Sequence, residues 1–176
     1  VNSGTFADAG GDAVTVTASI GAISQGSGTW NWSYTPTDGP DASQTVTIIA
    51  TDSDGDVTTT TFGLTVNNVA PTVTATGAGS VAEGSPYTLS SGVADPGTDT
   101  VSSNQIDWGD GTVENVAPGA TSANQTYTDN ASNQIVVTVI DEDTTVVQNG
   151  PSVTVTNVGA VVDDVIATVV GDAATV

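Results

Sequence analysis

Asp52-Ser53-Asp54-Gly55-Asp56 sets three carboxylates at alternate positions of one tight turn. Oxygens spaced this way converge on a point, and a hard cation such as Ca²⁺ takes about six to eight of them. The turn is not an EF-hand loop. Val57 stands where that loop requires glycine, and Gly63 where it requires a bidentate Glu. Asp and Gly also dominate plain hairpin turns, so a polar turn without a metal fits the same residues. Asp141-Glu142-Asp143 is a second acidic turn, lacking the glycine, and offers Asp141 and Asp143 as ligands. Glu83, Asp95 and Asp99 lie early in the second half of the chain, and Asp8 and Asp172 near its two ends. Ca²⁺ is the expected cofactor of this set.

Other chemistry has little to work with. The chain carries 20 acidic residues and no Lys, Arg or His, for a net charge of −20, and it has no Cys or Met. A Ser nucleophile has no usual base, and there is no thiolate and no Schiff-base amine. A carboxylate pair of glycosidase type is the one catalytic device the composition allows. The acids are spread over turns, so the expectation is a non-enzyme. Binding to nucleic acid or to an anionic membrane is disfavoured, because phosphate neutralisation needs cations. Disulfides and thiolate metal sites are excluded. An acidic surface held in solution by water and salt is the plain reading of the charge. Gly77-Ala78-Gly79-Ser80-Val81-Ala82 fits a dinucleotide fingerprint only in letters, since Glu83-Gly84-Ser85-Pro86 follows where a helix is needed.

The elements that must hold these turns are strands. Short runs of Val, Thr and Ile alternate with Gly, Asp, Asn and Pro clusters, and no stretch has a helical period. Strands are predicted at 13–19, 29–34, 44–51, 57–66, 72–76, 87–90, 100–108, 119–127, 134–140, 145–156 and 161–169. Val46, Ile48 and Ala50 share one face, as do Ile135, Val137 and Val139, and these mark two core centres. Trp30 and Trp32 also share a face, either in a core or as an exposed pair for stacking on sugar. Trp108 is expected to pack on its domain. Asn31-Trp32-Ser33, Asn124-Gln125-Thr126 and Asn130-Ala131-Ser132 fit the N-glycosylation sequon, so glycans are possible partners.

A repeat orders the whole. Asn68-Val69 recurs as Asn157-Val158, 89 positions on, and the tail 158–176 aligns with the segment after Val69. The first residues align with a stretch beginning at Leu89, beyond that opening segment. The chain thus divides into a first domain (1–68) lacking its opening strand, a complete domain (69–157), and an opening strand (158–176) with no domain. Val161, Val165, Ala167 and Val169 are the candidate inserted side chains, with Asp163 and Asp164 marking a break in register. In a domain completed this way, Asp172 and Asp8, the counterparts of Glu83 and Asp95, come together.

Val101–Thr112, reading VSSNQIDWGDGT, with the later Tyr-Thr segment and IVVTVIDEDTT, resembles the PKD-type bacterial immunoglobulin-like domain, whose hallmark is a WGDG turn. The first unit, with SGTFADAGGD, GTWNWSYTPTDGP and TVTIIATDSDGD, is similar to immunoglobulin-like or cadherin-like repeats of very large bacterial surface proteins. It departs from the PKD pattern where Ile20-Gly21-Ala22-Ile23 stands in place of Trp108-Gly109-Asp110-Gly111. The resemblance implies an all-β chain of two tandem Greek-key Ig-like sandwiches in an extracellular, cell-surface setting. For cadherin-like arrays it also implies Ca²⁺ shared between the end of one domain and the start of the next, near Asn67-Asn68. The expected function is a subunit of an extracellular filament or surface array, joined to other copies of itself head to tail by donor-strand insertion. Two alternatives stay open: two repeats of a continuous giant adhesin or stalk, and a carbohydrate-binding accessory module.

Overall fold

The computed structural model describes residues 1–161. Val165, Ala167, Val169 and Asp172 lie outside the described residues. Strands β1 (Asn2–Thr5), β2 (Thr15–Ala18), β3 (Ala22–Gln25), β4 (Thr29–Ser33), β5 (Gln44–Thr51) and β6 (Val57–Leu64) form a first unit of two sheets, ordered β1-β4-β3 and β2-β5-β6. Strands β7 (Thr72–Gly77), β8 (Ser80–Ala82), β9 (Pro86–Ala94), β10 (Ser103–Asp107), β11 (Val113–Val116), β12 (Ser122–Thr126), β13 (Ser132–Ile140) and β14 (Thr145–Thr156) form the second. Its sheets run β12-β9-β7 and β11-β10-β13-β14-β8. The architecture is all-β, of the immunoglobulin-like sandwich class.

Alternation places the cores. On β13, Ile135, Val137 and Val139 are fully buried, and on β5 so are Val46 and Ile48, because side chains two apart share a face. Trp30 and Trp32 point inward from β4. Trp32 packs edge-on against Phe62, at 5.0 Å between centroids, and donates its indole N–H to Ile20 O at 2.6 Å. With both rings buried, the exposed aromatic pair of the carbohydrate-binding alternative does not form. Trp108 is buried too, and the Tyr127 hydroxyl donates to its carbonyl at 3.1 Å. Gly109, at φ +79°, turns the chain beside it. A side chain there would meet Gln134 O at 2.6 Å as well as an unfavourable φ.

The two units share most of their strands and differ at two places: β3 pairs with β4, whereas β11, at the corresponding repeat position, pairs with β10, and the second unit has two further strands. β5 and β6 correspond to β13 and β14, and β1 and β4 to β9 and β12. In the second unit, β7 pairs with β9 over Thr72–Gly77, and β8 runs parallel to β14 over Thr154–Thr156. Val73 of β7 joins the core there, and Val81 of β8 packs against it. The first unit has neither strand among the described residues. β1 pairs only with β4, and β6 only with β5. Its core accordingly holds Val16, Trp30, Trp32, Val46 and Ile48, against twelve buried residues in the other.

Observed strands follow the predicted ones closely where alternation is strong, as at β5 and β14. Four were not predicted: β1, β3, β8 and β11. Each is only three or four residues long, and none carries a fully buried residue. β9 also runs on past the predicted end at Ser90, through a Ser-Gly stretch held by pairing with β7. The predicted strand 119–127 shortens to β12 because Ala117–Ala120 closes a turn, with Ala120 N donating to Ala117 O at 2.9 Å.

Candidate functional site

Two features stand out: an acidic cluster where the units meet, and an open groove in the first unit. The cluster is built from loops. Thr98 ties the Pro96–Asp99 loop to the Thr37–Gly39 loop of the other unit. Its N–H donates to Thr37 O at 2.8 Å, and its hydroxyl lies 3.2 Å from the same oxygen and 3.4 Å from Asp38 Oδ2. Gly39 is buried, and a Cβ there would stand 2.6 Å from Asn67 O, so the loop packs backbone to backbone against the linker.

This docking brings Asp38 and Asp99, both half-buried, to the exposed Glu142 and Asp143 of the turn after β13. One carboxylate oxygen from each lies within 4.8 Å of the others. Behind them, Asp141 is 4% exposed. Its Oδ1 accepts from Asp143 N at 2.9 Å and from Thr144 N, while Oδ2 has no donor among the described residues. The same holds for buried oxygens of Asp38, Asp95, Asp99 and Asn68. The crowding shows in protonation. A side-chain hydrogen bond with Asp38 pushes the Asp99 carboxyl up to about 6, helped by burial and by the charges of Asp38, Asp95 and Glu142. Burial and then Asp141 raise Asp95. Burial raises Asp143, followed by Asp41, Asp141 and Asp38. With no Lys, Arg or His in the chain, no side-chain cation relieves this repulsion. The donors are all hard oxygens, which suit Ca²⁺ or Mg²⁺.

The sequence-derived ligands fall in three places. Asp95, Asp99, Asp141 and Asp143 gather at the joint. Asp8, Asp52 and Asp56 line the groove instead. There Asp52 Oδ1 accepts from Asp54 N, Gly55 N and Asp56 N at 2.8–2.9 Å, so the turn uses its own carboxylate to hold its backbone. Asp8 Oδ1 likewise accepts from Gly10 N and Asp12 N. Asp54 is exposed. Glu83 meets neither group. Its Oε1 accepts from Val158 N at 2.8 Å, at the exit from the second unit. Asp38 and Glu142 are the ligand candidates that sequence reasoning missed. Glu142 sits inside the flagged acidic turn, whereas Asp38 lies in a Pro-Thr-Asp-Gly-Pro loop with no spacing that points to a partner.

The groove is a cavity of about 310 Å³ between the end of β1 and β6. Thr5, Phe6, Val14 and Thr58–Thr60 form its sides, and Val16, Trp30 and Ile48 its apolar floor. It lies where β7 sits in the second unit, beside the counterpart of β9 and across from that of β14. Val161, the one described member of the predicted donor set, is 81% exposed.

No family model matches the chain, and no curated protein does. Among solved structures it is similar to the PKD domain of an M14-like peptidase from Thermoplasmatales archaeon SCGC AB-540-F20, at 20% identity and TM-score 0.34, over 46% of this chain and 92% of that one. It is also similar to fibronectin(III)-like modules of Clostridium thermocellum CbhA, at 17% identity and TM-score 0.44, over 66% of this chain and 64% of that one. Both neighbours are Ig-like β-sandwich modules, and the likeness concerns the fold alone. The strand order described above carries the fold assignment by itself. No helix among the described residues is long and apolar enough to cross a membrane.

Proposed function

We propose that the chain is a structural subunit of an extracellular filament or surface array, joined head to tail by donor strands and stiffened by Ca²⁺. The observation that carries this reading is the groove. An open sandwich leaves apolar side chains wet and strand edges unpaired, and an added strand relieves both. The free edges of β1 and β6 are the edges that β7 and β8 occupy in the second unit. The occupant is the segment 158–176 of a second copy, whose repeat position is that of β7 and β8. Val161, Val165, Ala167 and Val169 enter the groove in this reading. Such a contact joins two different surfaces, so it propagates rather than closing.

The test pairs Thr59→Cys in one copy with Val165→Cys in another, in a chain that has no cysteine of its own. Oxidation of the mixture should link the two copies, and deletion of 158–176 should leave the full chain's concentration-dependent oligomers as monomers. A chain that stays monomeric at high concentration, with no cross-link, would overturn donor-strand joining.

A further inference from the structure

We infer that joining between copies is gated by charge: donor and acceptor are both acidic, so copies separate in dilute salt and join as salt rises. This rests on the donor-strand reading, and deepens it by naming what regulates the groove. On the acceptor side, Asp8, Asp52 and Asp56 line the groove, around a floor of Val16, Trp30 and Ile48. On the donor side, the segment 158–176 carries Asp163, Asp164 and Asp172. Neither side offers a side-chain cation, since the chain has no Lys, Arg or His.

The two sets of acids meet at one end of the groove. Asp8 follows β1, and Asp52 and Asp56 belong to the turn from β5 to β6. In the second unit the strand at this place is β7, whose first residue, Thr72, pairs with Ala94 at the end of β9. At the repeat offset of 89 positions, Asp163 and Asp164 are the counterparts of Thr74 and Ala75 in β7. Thr74 is exposed, whereas Ala75 packs against the core. Successive residues of a strand face opposite sides, so one of the two aspartates points to solvent and the other to the apolar floor. Shifting a regular strand by one residue only exchanges them. A carboxylate carried into an apolar groove without a cation is costly. That cost sets how weak the joint is. Repulsion from the acids at the rim sets how it responds to salt, because screening acts on exposed charges and little on buried ones.

The consequence is a reversible latch. The Debye length shrinks from roughly 30 Å at about 0.01 M salt to roughly 3 Å at about 1 M. In dilute salt the donor and rim acids repel one another along the whole groove. In strong salt that repulsion is confined to direct contacts, and apolar burial and strand pairing prevail.

The experiment mixes full chains carrying Thr59→Cys and Val165→Cys in chelator. Cross-link yield and sedimentation are read at about 0.01 M and about 1 M NaCl, with circular dichroism to check that the chains are folded at both. Association of the parent should tighten about tenfold or more across that range. Asp163→Asn combined with Asp164→Asn, in the donor, should join about tenfold or more tightly than the parent in dilute salt, with a shallower salt dependence. Asp56→Asn, in the acceptor, should act the same way to a smaller degree, since this exposed residue can lose its charge while the turn keeps its bonds to Asp52. An uncharged osmolyte of equal osmolarity should not replace NaCl. Joining that is equally tight at both salt concentrations overturns charge gating and leaves donor-strand joining in place. A salt dependence as steep in the asparagine variants as in the parent does the same, because salting-out of apolar surface acts on all of them alike. Absence of a cross-link under every condition, in parent and variants, overturns donor-strand joining itself and the gating with it.

Discussion

Tyr127 shows how much one side chain is asked to hold. Its hydroxyl donates to Trp108 O, and burial, followed by the charges of Asp110 and Tyr87, pushes its phenol up to about 12 from an ordinary 10.0. A group raised in the folded state stabilises fully below its unfolded value and loses that contribution as pH rises through its folded one. Denaturant midpoints should therefore fall between pH 10 and 12. Tyr127→Phe should flatten that fall and cost about 1–2 kcal/mol at pH 7, since Trp108 O is left without its donor. An unchanged alkaline fall in the variant would place the effect on another tyrosine. Asp110 runs the other way. Burial alone would raise it, but hydrogen bonds from Thr112 and Gln125 outweigh that and hold it below the usual carboxylate range. Its contribution is present at neutral pH and lost on acidification. That Trp108 is a packing residue was legible from the WGDG turn. That Asp38 faces Asp99 was not, because nothing local to either residue encodes the other.

At the scale of elements, alternation was the reliable signal. β13 reads as a buried central strand in the sequence and is one, with Ile135, Val137 and Val139 fully buried. Ile135→Ala should lower stability by about 2–5 kcal/mol, as large-to-small changes in packed cores do. Val147→Ala, at a residue 62% exposed on the neighbouring β14, should stay within about 0.5 kcal/mol. Thermal melts of the two variants check the pair, and equal losses would mean that the assigned face of β13 is wrong. The short strands were illegible for a physical reason. β1, β3, β8 and β11 owe their extended form to hydrogen bonds from a neighbour and bury too little side chain to leave a periodic trace.

For the whole molecule the governing quantity is charge. A net −20 with no side-chain cation destabilises the compact state by self-repulsion. The Debye length falls from about 30 Å at 0.01 M salt to about 8 Å at 0.15 M. In chelator, raising NaCl across that range should therefore raise the melting temperature markedly, and an uncharged osmolyte of equal osmolarity should do less. Equal effects of the two would show that repulsion is not what limits stability.

The β class, the 89-residue repeat, the core faces and the excess of acids are legible along the chain, because each is written in residue types at short or regular spacing. Which acids meet is set by the packing of distant loops. The turn with the most regular carboxylate spacing, Asp52–Asp56, spends an Asp52 oxygen on its own backbone. The cluster forms instead where loops some 40 to 100 residues apart in sequence are docked by Thr98 against Thr37. Contacts of that kind depend on how packed surfaces fit together, and no periodicity along the chain records them.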